Sequence, residues 1–146
     1  MKKITVLILF IASTIVSQTN TEVFLFDIKK TETGYELTNK KNISTNEGYD
    51  SQPHFYDNYA LLFASSRNGQ TDIVKYTIDT GIKEFINYSP EGGEYSPQRI
   101  PGTDDISAVR LDNTGLQRFY RYDINTGNSK QIIRNSSKAK YQIFDE

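Results

Sequence analysis

The sequence repeats itself at an interval of 46 residues, and this interval limits what the chain can fold into. When the chain is shifted by 46 positions, Tyr49 falls on Tyr95 and Gly81 falls on Gly127, and no gap is needed between these two matches. The other matches at this offset are Gln52 with Gln98, Gly69 with Gly115, Tyr76 with Tyr122, Ile78 with Ile124 and Thr80 with Thr126. A fixed period in the forties is typical of an array of supersecondary units. We therefore expect two copies of one unit, with a third beginning at Tyr141.

Each copy has the turns and the alternation of a β-sheet. Asn68-Gly69 lies between two β-rich runs, and both residues tolerate the positive φ of a type I′ hairpin turn. Within the run 71–78, one set of alternating positions (Ile73, Lys75, Thr77) differs from the other (Val74, Tyr76, Ile78), which predicts a strand with two unlike faces. Ala60 to Ala64 is apolar throughout, which favours a central strand covered on both sides. The predicted strands are 52–55, 60–65, 71–78 and 83–87 in the first copy, and 98–101, 106–111, 117–124 and 129–133 in the second.

Four antiparallel strands at this period are typical of a β-propeller blade. The predicted fold class is all-β, with two complete blades at about 49–90 and 95–135 and a partial blade at each end. At the amino-terminal end, Glu22–Ile28 and Tyr35–Leu37 correspond to the last two strands of a blade. At the other end, Tyr141–Phe144 corresponds to the first strand of one. We expect either a piece of a longer propeller or a chain that assembles with a second copy, since two copies could form a six-bladed homodimeric ring.

The first 17 residues have the layout of a secretory signal peptide. Two lysines precede an apolar run from Ile4 to Val16, and small polar residues follow. We place the cleavage site near Ser17 and Gln18, which leaves 18–146 as the propeller part. Ile15 lies three residues before the cut, where a small residue is usual. A mostly apolar run of thirteen residues is too short to span a hydrocarbon core of about 30 Å, so no membrane span is expected after cleavage. The predicted location is therefore the periplasm or cell envelope.

Composition excludes several classes of function. The formal net charge is −1 and both signs of charge are interspersed, so the chain lacks the basic surface of a nucleic-acid-binding protein. There is no cysteine, which excludes disulfides, a thiol nucleophile and cysteine metal sites. His54 is the single histidine, and no Gly-x-Ser-x-Gly elbow is present, so a serine hydrolase triad is not expected. We predict no catalytic residue, no metal site and no cofactor.

The repeat resembles the WD-like repeat of TolB-type β-propellers, and particularly exported TolB-like proteins of the Bacteroidetes type. The segments that carry the resemblance are Gly48–Phe55, Leu62–Gly69, Asp72–Tyr76, Glu94–Pro97, Asp105–Arg110 and Gln117–Tyr122. The Pro-Asp-Gly turn usual in that family is replaced by Asp57-Asn58 and by Gly102-Thr103-Asp104. The resemblance implies a propeller that binds proteins in the cell envelope, with partners like those of the Tol–Pal system.

The candidate binding residues are those that a propeller would place on one rim. The loop before the first strand and the turn after the second strand reach the same face of a blade. The residues assigned to this rim are Tyr49, Asp50, His54, Arg67, Glu94, Tyr95 and Arg99. Tyrosine and arginine suit recognition of a protein, a peptide or a glycan. The alternative is that Tyr49 and Tyr95 only pack between blades, and that acidic residues such as Asp50 and Glu94 are solvated or form turns.

Two enzyme-linked alternatives remain open from the sequence. Similar propellers precede the hydrolase domain of serine peptidases, where they gate or bind substrate. A longer reading frame with a Gly-x-Ser-x-Gly elbow downstream would favour that role. A propeller lyase or glycosidase would need more histidine, or a pair of carboxylates facing each other across the channel.

Overall fold

The computed structural model describes residues 20–90 and 92–132. These residues form ten strands and no helix, so this part of the chain contains no helix able to cross a membrane. The strands are β1 (Phe24–Lys30), β2 (Tyr35–Asn42), β3 (Asp50–Phe55), β4 (Ala60–Arg67), β5 (Gln70–Thr77), β6 (Lys83–Phe85), β7 (Gly93–Arg99), β8 (Ile106–Leu111), β9 (Gln117–Tyr122) and β10 (Ser129–Gln131). The predicted signal peptide and the predicted strand 141–144 lie outside the described residues.

The strands form one two-stranded and two four-stranded antiparallel sheets. Their orders are β1-β2, β3-β4-β5-β6 and β7-β8-β9-β10. We call these sheets the half-blade, blade 1 and blade 2. The all-β fold with propeller blades is confirmed, and so is the two-residue turn between β4 and β5, where Asn68 and Gly69 both have positive φ. Both first strands begin earlier than predicted, at Asp50 and Gly93.

The constant 46-residue register is wrong for the first two strands of the blades. Strand pairing places Asp50 opposite Ser65 in blade 1 and Glu94 opposite Arg110 in blade 2. The two blades therefore correspond at an offset of 44 in the first strand, 45 in the second and 46 in the third and fourth. The physical reason is that each of the first two hairpins of blade 2 is one residue longer. The matches of Tyr49 with Tyr95 and of Gln52 with Gln98 are thus not structural equivalences.

A bulge at the same point of both first strands supports the corrected register. Pairing is interrupted between Ser51 and His54 in β3, and between the corresponding residues of β7. Gln52 and Ser96, which precede Pro53 and Pro97, have φ of 58° and 52°. Proline has no N–H to donate, so a bulge at this point removes it from the ladder without leaving a partner unsatisfied.

Two apolar clusters hold the three sheets together, and β4 contributes to both. Leu61 and Phe63 pack with Val23 and Ile43 between the half-blade and blade 1. On the opposite face of β4, Leu62 lies in a second cluster. The other buried members of that second cluster are Ile73, Ile106, Ala108 and Tyr122. The all-apolar run 60–64 was predicted to be covered on both faces, and its side chains are buried. The packing of the three sheets thus forms two junctions, one on each side of blade 1.

Among the described residues, the half-blade is covered on one side only. Leu25 packs against the first apolar cluster, whereas Ile28 and Leu37, which face each other across the β1–β2 pair, are 70% and 62% exposed. Phe24, Phe26 and Tyr35 are further exposed large side chains of this hairpin. This sheet therefore presents an apolar surface to solvent.

Candidate functional site

Five of the seven predicted rim residues lie at one end of the blades, and two do not. We call the end at which β3 and β7 begin the entry end; the residues there are Tyr49, Asp50, Arg67, Glu94 and Tyr95. His54 pairs with Leu62, and Arg99 pairs with Ile106, beside the β3–β4 and β7–β8 hairpins at the opposite end. Their assignment to the same rim is wrong, because the chain has already crossed the sheet when it reaches them.

The tyrosines of the entry end contact each other across the blade 1–blade 2 junction. The rings of Tyr49 and Tyr95 lie edge to face with their centroids 6.2 Å apart, and both side chains are half-buried. Edge-to-face pairs of this spacing are favourable beyond the area that they bury. The two rings therefore make the contact that is expected if they pack between blades, which was the alternative to a role in recognition.

The Arg67 side chain is half-exposed, and its guanidinium group contacts residues of the blade 1–blade 2 junction. A terminal nitrogen of its guanidinium lies 3.5 Å from Oδ2 of Asp72, and the guanidinium carbon lies 3.5 Å from the centre of the Phe85 ring. Tyr88 flanks it at 5.4 Å. Stacking of a guanidinium on aromatic faces is favourable and orders the side chain. Arg67 therefore has a fixed position beside the junction.

Glu94 is a buried hydrogen-bond centre. Its side chain is fully inaccessible, and its Oε1 accepts hydrogen bonds from Ser89 Oγ at 2.6 Å, Arg110 Nε at 2.7 Å and Tyr122 Oη at 3.1 Å. Its Oε2 is buried and has no partner among the described residues. The expectation of a solvated carboxylate is wrong here, because residues from three other segments enclose it. Burial and the neighbouring carboxylate raise the pKa of Tyr122, which stays a hydrogen-bond donor.

Asp72 lies on the blade 1 side of the same junction. Its Oδ1 accepts hydrogen bonds from Asn87 Nδ2 and from the Ser89 backbone N–H, both at 3.2 Å. Ser89 thus binds Asp72 through its backbone and Glu94 through its hydroxyl. Burial raises the pKa of Asp72, and the charge of Glu94 adds to the shift, while Ser89 and Arg67 oppose it. Two carboxyl groups from different blades therefore share one buried polar cluster.

In the junction between the half-blade and blade 1, Asp50 occupies the place that Glu94 has between blades 1 and 2. It is 1% exposed, and neither carboxylate oxygen has a hydrogen-bond partner among the described residues. Burial raises its pKa; Glu22 adds to the shift, and polar groups of Ser65 and Asn46 and the charge of Lys83 oppose it. A buried carboxylate without donors is costly, because it has lost its hydration.

The two junctions are copies of one arrangement. In the first, Ser44 Oγ binds the Glu22 carboxylate and accepts from the Val23 N–H. In the second, Asn87 binds the Asp72 carboxylate and accepts from the Ile73 N–H. Two residues further on, Asn46 and Ser89 each lie next to the acid of the following blade. We call the set Glu22, Ser44, Asn46 and Asp50 junction A, and the set Asp72, Asn87, Ser89 and Glu94 junction B.

Sequence reasoning missed these junctions for an identifiable reason. The polar residues at equivalent places are exchanged, serine then asparagine in one copy and asparagine then serine in the other, and the acids differ in length. The signal that could have found them is the spacing of Asp50 and Glu94, each three residues before Pro53 and Pro97. A comparison anchored on these prolines gives the offset of 44 that strand pairing shows.

At the opposite end, Arg99 is held by its own hairpin. It donates from Nε to the Thr103 carbonyl at 3.0 Å and from a terminal nitrogen to the Asp104 carboxylate at 3.0 Å. Its guanidinium lies 4.7 Å from the centre of the Tyr56 ring. This site is solvent-exposed, and its arginine closes the β7–β8 hairpin.

Two shallow polar recesses lie near the entry end. One of about 430 Å³ is lined by Glu47, Gly48, Arg67 and Asn68 and their neighbours. Another, of about 420 Å³, lies beside junction B and is lined by Tyr88, Arg110 and Ser129 and their neighbours. Within residues 20–90 and 92–132, no group of three or more His, Cys, Asp or Glu side chains is placed to hold a metal ion. The geometry here suits contact with a polar partner surface.

Comparison with known proteins identifies the fold. No protein-family model and no curated protein matches the sequence. A solved structure described as "putative TolB from Agrobacterium tumefaciens" superimposes with a TM-score of 0.56 and 20% sequence identity. The match covers 74% of this chain and 44% of that protein, so the chain spans less than half the length of the structure it matches. The TolB-like fold is thereby confirmed, while the Bacteroidetes type stays a prediction.

Proposed function

We propose that this chain is an exported, non-enzymatic β-propeller module that binds a protein or peptide partner in the cell envelope. The observation that carries the proposal is the likeness of its blades to the TolB structure. The basic, apolar and small-polar succession of the first 17 residues supports export. Fold alone does not fix function, so the proposal depends on a surface that can be tested.

The entry end is the surface proposed to contact the partner. Arg67 is held in place by Asp72 and Phe85, so little further ordering is needed when its exposed part makes a contact. Asn68 and Glu47 add exposed hydrogen-bonding groups around the recess beside it. Fixed arginine beside polar groups is common in protein interfaces.

The test is site-specific photocrosslinking in cells that express and export the full chain. A photoreactive phenylalanine analogue is placed at Asn68, at the entry end, and in a control chain at Asn58, in the exposed β3–β4 hairpin of the opposite end. We expect a discrete crosslinked protein from the Asn68 position that is absent from the Asn58 position. Equal products from both positions, or none from Asn68, would contradict a partner at the entry end.

A further inference from the structure

Each junction brings together two carboxyl groups; in junction B both are buried, whereas in junction A Asp50 is buried and Glu22 is half-exposed. In junction B, Ser89 bridges them, since it donates its N–H to Asp72 and its hydroxyl to Glu94. In junction A, the Asp50 N–H donates to the backbone carbonyl and the hydroxyl of Thr21, the residue that precedes Glu22. A buried carboxylate that has a second carboxylate near it cannot ionise without cost, and the second acid raises the pKa of Asp50 in junction A and of Asp72 in junction B.

Cations in these junctions compensate the acids only in part. In junction B, Arg67 faces Asp72, and Arg110 together with the Tyr122 hydroxyl faces Glu94. In junction A, the Lys83 ammonium donates to the Ser44 carbonyl and the Thr45 hydroxyl instead of to a carboxylate. The carboxylate oxygens of the junctions that are buried without a partner among the described residues are both oxygens of Asp50 and Oε2 of Glu94. Both Asp50 oxygens are therefore open to a proton.

We propose that the junctions take up protons when the solution is acidified, and that this uptake tightens the packing of the blades. Protonation of Asp50 or Asp72 removes one of two neighbouring negative charges, and at Asp50 it also turns an unpartnered acceptor into a donor. The proton comes from solvent, and no other reactant is needed. This proton uptake goes beyond the proposed binding function, because it changes the packing of the sheets whether or not a partner binds.

The direction of the effect follows from linkage. The pKa values of Asp50 and Asp72 are raised by burial, so the folded chain binds these protons more tightly than the unfolded chain. Their contribution to stability is full below the ordinary aspartate pKa of 3.8 and is lost as the pH rises through the raised values. Glu22 opposes this at lower pH: its pKa is lowered, mainly by the Ser44 hydroxyl, so its contribution is lost only as the pH falls below its ordinary range.

The test is a series of thermal melts of the full chain between about pH 7.5 and about pH 5. We expect the melting temperature to rise as the pH falls. Asp50→Asn and Asp72→Asn mimic the protonated acid, so each should raise the melting temperature at the upper pH and flatten its dependence on pH. Histidine changes charge in the same interval, so the series is repeated on His54→Gln, and the rise should persist.

The matched control is Asp112→Asn. Arg118 and Asp112 occupy, in blade 2, the places of Asp72 and Arg67, with the charges exchanged. The pKa of Asp112 is lowered, mainly by the Thr114 hydroxyl, so its replacement should lower the melting temperature at the upper pH. Should an asparagine variant fail to fold, carboxyl-carbon NMR of the unsubstituted chain decides: two aspartates should titrate above the ordinary range. A melting temperature that is flat or falls on acidification, or carboxyl signals that all titrate normally, overturns the proposal.

Discussion

At the scale of single residues, the Glu94 carboxylate shows why the entry end of this protein is ordered. Three donors from β8, β9 and the loop before β7 converge on one oxygen of a side chain that water does not reach. Hydrogen bonds to a charged group in such surroundings are stronger than those between neutral groups. The Arg110 guanidinium supplies the balancing charge and lies 4.1 Å from the centre of the Tyr120 ring. Removing this arginine would leave a buried charge with two neutral donors.

We therefore predict that Arg110→Met lowers the free energy of unfolding by about 3 kcal/mol or more. Arg99→Met is the control, because Arg99 also pairs with a carboxylate and stacks on a tyrosine, but Asp104, its partner, is solvent-exposed. Its loss should cost about 1 kcal/mol or less. Denaturant unfolding of the full chain measures both, and similar losses in the two variants would refute the assignment of Arg110 to a buried pair.

The sequence predicts the residue types at the entry end better than their roles. Tyr49, Arg67 and Glu94 were placed there from the order of strands, and that placement agrees with strand pairing. The burial of Asp50 and Glu94 was missed, because an acid beside a turn has the same local pattern whether or not another sheet covers it. The burial of Glu94 depends on residues that are 5 to 28 positions away in the sequence, such as Ser89 and Tyr122. These residues contact Glu94 only in the folded chain.

At the scale of elements, β4 determines how the three sheets stack. Its successive side chains point to opposite faces, so Leu61 packs toward the half-blade and Leu62 toward blade 2. A strand that is apolar on both faces cannot lie at the surface of a sheet packed on one side only. The run 60–64 thus made the central position of this strand predictable from sequence alone.

The second prediction concerns Leu62. Leu62→Ala should lower the free energy of unfolding by about 2 to 5 kcal/mol, because it leaves a cavity between Ile73 and Ile106 in a closed cluster. Leu116→Ala removes the same atoms from an exposed position in the β8–β9 turn and should change stability by about 0.5 kcal/mol or less. Thermal or denaturant unfolding of the two variants gives the comparison. A loss at Leu116 as large as that at Leu62 would contradict the prediction.

The residue types of the turns explain why the β4–β5 hairpin was predicted correctly and why the register of β7 was not. Asn-Gly at 68–69 specifies a two-residue turn, so the β4–β5 hairpin was found correctly. The β7–β8 hairpin spans 100–105 and contains no comparable signal for its length. One extra residue in each of two hairpins of blade 2 shifts β7 against β3 while later turns keep the 46-residue spacing. Chance tyrosine and glutamine matches at 46 then concealed the shift.

At the scale of the whole molecule, the described residues contain more blade surface than they cover. The half-blade has two strands where blades 1 and 2 have four, and β1 pairs with β2 on one edge only. Its exposed side carries aromatic and aliphatic side chains that in a complete blade would face another sheet. Open apolar sheets and unpaired edges favour association with another chain.

We therefore predict that the purified full chain self-associates through the half-blade. Light scattering after gel filtration should give a mass above that of one chain. The double variant Ile28→Lys and Leu37→Lys places two charges opposite each other on the exposed side of β1 and β2, and should return the chain to a monomer. Tyr59→Lys with Ile82→Lys is the control, because these side chains are similarly exposed but lie in the turns of blade 1. A monomeric parent chain would contradict the prediction, as would association that the first pair leaves unchanged or that both pairs abolish equally.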